Sequence, residues 1–456
     1  MKQIKLCYSK NSDINYVARL VTLTESDFMP HPNASKLKLA RVFGFRVIVG
    51  IEAEPGEYIY FPAGSQVSGS FLAFSSNYHD SKRNRDKSVT GTFEQSGRVK
   101  AIRLRGVVSE GWLAKEQDLK NWIREMAEDE VELDYGTGSF DTAVLEKGRT
   151  TWICKKYIIK GDSGTKKQRF RGKVPGHVSG RVPKDQFKFH YETEQLKWNP
   201  WVIKPKTYIW ITKKVDGTSG ISSHTQVERK WYEFWKPKRY YHRLYASSGV
   251  IKSKEINKMA GPGWYGVDIW KEADKVVGPM LDSGMTAYYE IVGYLPDGRF
   301  IQKADDFGCI KPEPGKPFRV SQNFRVLIYR LTITTPEGTI TEFNPTEVKK
   351  WAESKGLESV KILYEGLAQD LYPDLSPESH FSQNFLDKLA EDHKLGMEEP
   401  EEDCKNKDVP QEGIVIRVDK KAYKLKTAAH LLWKQMWEEK GVIDIENLEN
   451  RNGNDF

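Results

Sequence analysis

Long apolar runs are missing from this chain. No stretch approaches the roughly 18 residues that a membrane span needs, and the opening MKQIKLCYSKNSD lacks the apolar segment of a secretory signal. Cysteine is scarce. Cys7, Cys154, Cys309 and Cys404 stand far apart and form no CxxC pair, which argues against a disulfide framework and against a thiolate zinc site. The expected setting is a reducing cytoplasm, with no membrane partner. A strong excess of one charge is missing as well: 71 Lys and Arg against 63 Asp and Glu leave +8. That balance alone does not mark a nucleic-acid protein. What remains, 38% hydrophobic and 29% charged residues, is ordinary for a soluble globular protein. A chain of 456 residues exceeds one ordinary core, so two domains are expected.

The distribution of charge says more than its sum. Lys155 to Lys184 (KKYIIKGDSGTKKQRFRGKVPGHVSGRVPK) holds ten basic residues and one acid, Asp162. It reads either as a solvated linker or as a contact for a polyanion. Ahead of it, residues 1–150 read as short strands between turns, YVARLVTLTE, KLARVFGFRVIVG, PGEYIYFPAG and GRVKAIRLRGVVSEGWL, with a charged loop HDSKRNRDKSV. Such spacing, with Gly and Pro at the corners, predicts a small barrel or sandwich. KEQDLKNWIREMAEDEVELD predicts a helix with Leu119, Trp122, Ile123 and Met126 on one face. From residue 185 strands and helices mix. YIWITKKV, AYYEIVGYL, FRVLIYRLTIT, EGIVIRVD and KAYKLKT read as strands, and EVKKWAESKGLESV and SQNFLDKLAEDHKLG as helices, an α+β pattern. The expected division is 1–150, a basic linker 151–184, a domain 185–427, and a C-terminal helix with a polar tail, 428–456.

One strand ends on two lysines. In YIWITKKVDGT the alternation puts Tyr208, Trp210, Thr212 and Lys214 on one face and Ile209, Ile211, Lys213 and Val215 on the other. One amine can enter a pocket while the other stays wet. An amine that loses water, or stands beside other cations, loses affinity for its proton and becomes a nucleophile. The plainer reading is a lysine snorkelling from a strand end.

Lys214-Val215-Asp216-Gly217, followed by Thr218-Ser219, resembles the Lys-x-Asp-Gly nucleophile motif of the covalent nucleotidyltransferases, the ATP-dependent ligases and capping enzymes. Four further segments follow in that family's order. YYEIVG matches a motif with a ribose-contacting Glu, here Glu290, then Gly293. NFRVLIYRLT resembles the nucleoside-binding strand and places Val326 at the stacking position, with Phe324 on the same face. QEGIVIR matches the Glu-Gly motif, Glu412 and Gly413. YKLKT matches Lys-x-Lys, giving Lys424 and Lys426. The resemblance implies that Lys214 attacks ATP, that Lys424 and Lys426 contact phosphate, and that Glu412 meets Mg²⁺ or Mn²⁺. Asp216, Gly217, Thr218, Glu290, Gly293, Val326, Glu412 and Gly413 would then surround the nucleotide. The family commonly carries an Arg after the nucleophile. LYASSGVIK offers instead Ser247, Ser248 and Gly249, with Arg243 and Lys252 the nearest cations.

Only about 30 residues follow Lys426, too few for the OB-fold domain that DNA ligases and capping enzymes usually carry there. Thr218-Ser219 also looks more like RNA ligases. HPNASKLKLARVFGFRVIVG, EYIYFPAGSQV, VKAIRLRGVVSEG and FHYETEQLKWNPW are similar to RNA ligases of the Deinococcus type with an N-terminal OB domain, and HPNASKL is also similar to tRNA-binding OB modules. The expectation is therefore an α+β chain with an N-terminal OB-like β-barrel and an adenylyltransferase domain of antiparallel sheets with flanking helices. The implied function is RNA sealing at 5′-phosphate/3′-hydroxyl breaks through lysyl-AMP, by a monomer. The alternatives are DNA nick sealing, guanylyl transfer to RNA ends, or a nonenzymatic RNA-binding protein. The basic linker and the loop Lys82 to Lys87 are the expected RNA contacts.

Overall fold

The computed structural model describes residues 2–9, 12–158, 181–189, 191, 193–257, 261, 265–375, 380–397 and 399–440. Most of the basic linker (159–180) and the polar tail (441–456) lie outside the described residues. The chain packs as two compact units, one within Met1–Lys160 and Gln195–Pro200, the other within Gly161–Glu194 and Trp201–Phe456. Among the described residues no helix is long and apolar enough to cross a membrane.

The first unit is not a barrel. Gly56–Pro62 runs between Gly111–Lys115 and Ala18–Leu23, and Ser139–Phe140 extends that sheet. Lys2–Cys7 belongs to a different sheet, between Val131–Asp134 and Thr142–Val144. A third sheet, Phe28–Pro30, Leu37–Val42 and Phe45–Gly50, pairs only within itself. Closure requires one unbroken ladder with a consistent stagger, and here the ladder breaks at Asp141. That buried residue separates Ser139–Phe140 from Thr142–Val144, and its backbone bonds to Cys7, Ile153 and Cys154 and to no residue of the Ala18–Leu23 sheet. The strand spacing in the sequence was sound; the inference that the strands close was not. The expected OB-like barrel is thus replaced by separate sheets among the described residues.

The helix Glu116–Ala127 fills the core of this unit with Leu119, Trp122 and Ile123, against Ile59, Phe61, Phe71 and Phe140. Glu116 and Asp118 occupy its first turn, where carboxylates suit the helix dipole. It stops at Glu128, which takes a left-handed conformation (φ 53°). The expected helix ran on through Asp134, but Val131–Asp134 pairs in parallel with Lys2–Cys7 instead.

In the second unit the lysine-paired strand Tyr208–Lys214 lies between Ile362–Leu367 and Gly413–Val418, with Lys421–Lys426 beyond, all antiparallel. A second antiparallel sheet runs in the order Arg239–Ser247, Thr218–Glu228, Met285–Gly293, Phe324–Thr334, Ile340–Glu342. The helix Ile269–Val277, capped by Asp268, lays Ile269, Trp270, Ala273 and Val277 on Ala287, Tyr289, Ile291 and Val326 of that sheet. A capping box of Asn344 and Glu347, with Pro345 in the first turn, starts the helix Pro345–Ser354. The helices Phe381–Ala390 and Ala428–Glu439 complete the unit. The α+β expectation holds for this chain of mixed and antiparallel sheets with flanking helices.

Glu110 and Lys197 form a buried ion pair in the first unit, 2.5 Å apart. Glu110→Ala leaves the Lys197 ammonium buried without its carboxylate, and is expected to destabilise this unit by about 3–5 kcal/mol. Urea unfolding of the full chain measures it; an unchanged first-unit transition would show that the pair is not needed.

Candidate active site

The strand Tyr208–Lys214 divides its two lysines as strand alternation requires, but not as expected between wet and dry. Lys213 sits with Ile209 and Ile211 on the buried side and is itself buried. Its amine bonds to Glu401, with Glu402 at 3.4 Å and Asp403 at 3.3 Å. Burial works to strip its proton, but the charges of Glu401, Asp403 and Glu402 outweigh it and leave its proton affinity raised. Lys213 is the drier of the two lysines, locked to an acidic loop that no local pattern in the sequence connects with it.

Lys214 sits at the strand end, with its side chain 23% exposed. In register, Lys214 pairs with Gly413, and Gly413 pairs with Lys426. Both lysines thus flank a residue without a side chain, and both reach the preceding carboxylate. Lys214 Nζ donates to Glu412 Oε2 at 2.7 Å, and Lys426 Nζ meets Glu412 Oε1 at 2.8 Å. Gly413 has φ 140°, and a Cβ there would lie 2.1 Å from the Leu425 carbonyl oxygen, so only glycine fits this crossing. Burial favours the neutral acid at Glu412, but the charges of Lys214, Lys426 and His430 hold its proton affinity well below the usual carboxylate range. Lys424 stands opposite Val415, two residues up the strand and on the same face as Lys426.

A further residue, missed in the sequence, joins this cluster. His430 lies in the first turn of the helix Ala428–Glu439 and is buried. Its Nε2 faces Asp216 Oδ2 at 3.1 Å. Thr427 caps that helix: its hydroxyl accepts from the His430 N–H and donates to the Gln411 carbonyl, while the Thr427 N–H donates to the Glu412 carbonyl. Ligand atoms of Asp216, Glu412 and His430 all lie within 4.8 Å of one another, and His430 Nδ1 is buried with no hydrogen-bond partner. Two carboxylates and one imidazole are a donor set that fits a divalent cation. The signal available in the sequence was faint, a His three residues into a helix opened by Thr427.

The other expected residues divide by strand face. Gly217 approaches the next strand so closely that a Cβ would stand 2.7 Å from the Ile291 carbonyl oxygen and 3.2 Å from the Glu290 Cβ. Its own carbonyl accepts from Gln302 at 2.8 Å. Thr218 pairs with Ile291, and Ser219 with Glu290, so Glu290 does reach the turn that follows Lys214. Gly293 ends the same strand opposite Phe324. Val326 does not join them. It packs into the core on the helix side with Ile291 and Ile328, and Phe324 stacks on Phe318, ring centroids 4.9 Å apart. Leu327, one residue on, shares a cluster with Val215, Val292 and Val360, and Trp433 packs against it. Beside Val215 lies a cavity of about 320 Å³ lined by Lys213, Val215, Arg325, Leu327, Val360 and Lys361, among others. Of the two cations considered after the nucleophile, Lys252 is buried, its amine 4.4 Å from the centre of the Trp270 ring, and Trp270 Nε1 donates to the Ser219 carbonyl. Arg243 is exposed and donates to Pro279.

No family model matches this chain, and no curated protein matches it. Solved structures do. The fold is similar to that of an RNA ligase. A Naegleria gruberi RNA ligase, as an arginine-to-alanine mutant with ATP and Mn, aligns with a TM-score of 0.50 at 16% identity, covering 92% of this chain and 98% of that one. The same ligase with PPi aligns at 0.49 and 15% identity, covering 92% and 98%, and a glutamate-to-alanine mutant with AMP and Mn at 0.49 and 16%, covering 91% and 98%. The likeness is one of fold.

Two measurements test the architecture of the site. Lys213→Ala leaves Glu401 buried without its cation and is expected to cost about 3–5 kcal/mol of stability. Lys214→Ala leaves Glu412 still paired with Lys426 and should cost clearly less; equal losses in urea unfolding would refute this division. Asp305 offers a pH test. Its burial, with Asp216 and Glu401 nearby, raises its pKa to about 8. A carboxyl raised on folding adds stability that is complete below about pH 4 and is lost as pH rises through about 8. Asp305→Asn should therefore flatten the fall in stability between about pH 4 and about pH 8, and an unchanged slope would discount this group.

Proposed function

We propose that this chain is an ATP-dependent RNA ligase that joins 5′-phosphate and 3′-hydroxyl ends through a lysyl-AMP intermediate. The observation that carries the reading is the convergence of Lys214, Lys426, Asp216 and His430 around the buried Glu412 carboxylate. The fold likeness to an RNA ligase supports it.

In this reading the Lys214 amine, freed of its proton, attacks the α-phosphorus of ATP. A phosphorus–nitrogen bond forms, the bond to the bridging oxygen breaks, and pyrophosphate leaves. The AMP then passes to a 5′-phosphate of RNA, regenerating the lysine. Attack by the 3′-hydroxyl on that phosphate closes the strand and expels AMP. Each step is a phosphoryl displacement, which depends on positioning and on neutralising charge. Glu412 positions both amines before attack. Lys426, and Lys424 on the same strand face, supply positive charge toward phosphate oxygens. Glu290, beside the turn after the nucleophile, suits a ribose hydroxyl. The apolar walls Val215, Leu327 and Val360 suit the flat base, which moves the expected base contact from Val326 to its neighbour. A divalent cation, Mg²⁺ or Mn²⁺, held by Asp216, Glu412 and His430 would neutralise phosphate charge.

The test is mass spectrometry of the protein after incubation with a nucleoside triphosphate and divalent cation. The expected product is one adenylate on Lys214, absent in Lys214→Ala. Lys426→Ala should slow adduct formation by roughly 100-fold or more while the protein stays folded. An adduct formed only with GTP, or one persisting in Lys214→Ala, would sink the reading. A nicked duplex with RNA or DNA on each side of the break then separates RNA from DNA sealing.

A further inference from the structure

The strand Thr218–Glu228 leads away from the candidate site to a loop with an unusual surface, Arg229-Lys230-Trp231-Tyr232-Glu233-Phe234-Trp235-Lys236. Trp231 is 91% exposed, Phe234 77% and Trp235 66%. Large aromatic rings held in water carry no folding advantage, so a contiguous group of them marks a contact surface. The loop beneath them is firmly built. Glu233 is buried, accepts from the Lys230 N–H at 2.8 Å, and is met by Lys236 at 3.0 Å and Arg181 at 3.2 Å. Arg229 donates to the carbonyls of Phe234 and Lys236 at 3.0 and 2.8 Å. The rings stand as two edge-to-face pairs, Trp231 with Tyr232 (90°) and Phe234 with Trp235 (81°). The one acid within the loop is neutralised from inside by Lys236 and Arg181, while Lys230 and Lys238 flank the rings and Arg239 stands beside Asp185 at 3.5 Å.

We propose that this loop is a stacking platform for an unpaired nucleic-acid strand, with bases laid on Trp231, Phe234 and Trp235 and phosphates met by the flanking cations. Rigid π-faces interleaved with positive charge are what an unpaired strand offers partners for: every base has a face to stack, and every linkage carries a negative charge. Thr218 at the near end of the strand adjoins the nucleophile turn, and Glu228 at the far end adjoins the platform. At about 3.3 Å per residue, the platform stands on the order of 30 Å along the strand from Lys214, so it holds substrate at a distance from the chemistry. That the strand is RNA rests on the ligase reading; that the loop stacks bases does not.

The experiment uses the full chain without nucleotide. Binding of a labelled oligouridylate is measured for the parent, for Trp231→Ala, Phe234→Ala and Trp235→Ala singly and together, and for Trp231→Tyr with Trp235→Tyr. The triple variant should bind at least about tenfold more weakly, each single variant a few-fold, and the tyrosine variant close to the parent. Adenylate transfer from ATP to Lys214 should be unchanged. Affinity of the triple variant within about twofold of the parent overturns the proposal. So does a loss confined to anionic lipid vesicles, which would make the loop a membrane contact. If the parent forms no adenylate but the triple variant still loses oligouridylate, the ligase reading fails and the platform stands. If adenylate forms normally and the triple variant binds oligouridylate undiminished, the platform fails and the ligase reading stands.

Discussion

A single buried carboxylate organises the second unit. Glu412 is taken out of water, which for an unpaired charge costs several kcal/mol. Two ammonium groups offset that cost from opposite sides, at 2.7 and 2.8 Å. The arrangement depends on register: Lys214, Gly413 and Lys426 stand abreast on three neighbouring strands, and only a residue without a side chain fits there, because a Cβ would lie 2.1 Å from the Leu425 carbonyl oxygen. A slip of one residue would send one lysine to the opposite face. The carboxylate therefore needs the sheet, and the sheet brings the Lys214 amine to the end of its strand beside that carboxylate as a consequence.

The neighbouring lysine explains how that edge stays in place. Lys213 points into the acidic loop Glu401 to Asp403, and Lys361 shares Glu402 with it at 3.0 Å. Its amine is buried and meets three carboxylates, whereas Lys214 is partly exposed. A strand that ends in two lysines thus anchors by one and presents the other. Strand alternation separates their directions, and the carboxylates around each decide their tasks.

Much of this was legible in the sequence. The strands Tyr208–Lys214, Met285–Gly293, Phe324–Thr334, Gly413–Val418 and Lys421–Lys426 follow from β-branched and aromatic runs bounded by turn residues, and the convergence of Lys214, Lys426 and Glu412 follows from motif order on those strands. Three things were not legible. The ladder break at Asp141 is a property of pairing partners, which a one-dimensional pattern of strands does not contain; hence the barrel that did not close. The side of the sheet reached by Val326 is set by its pairing, Val326 opposite Ile291 and Leu327 opposite Glu290, and a register between two strands is written in neither strand alone. The Lys213 clamp joins residues 188 to 190 positions apart, and a run of acids such as Glu401 to Asp403 reads by itself as a solvated face.

His430 shows how a missed residue can still be tightly specified. Asp216, Glu412 and His430 come from a turn, a strand start and a helix, and each is placed by a different local rule. Gly217 brings the Asp216 turn against the second sheet. Gly413 sets the approach of Glu412. Thr427, as the helix cap, ties its hydroxyl both to Gln411, the residue before Glu412, and to the backbone of His430. The helix start is consequently fastened to the strand start on which the carboxylate sits, and the imidazole arrives beside Asp216 without any long-range contact of its own having to choose it. Capping chemistry, usually counted as a modest contribution to helix stability, here fixes the distance between two side chains that would share a cation.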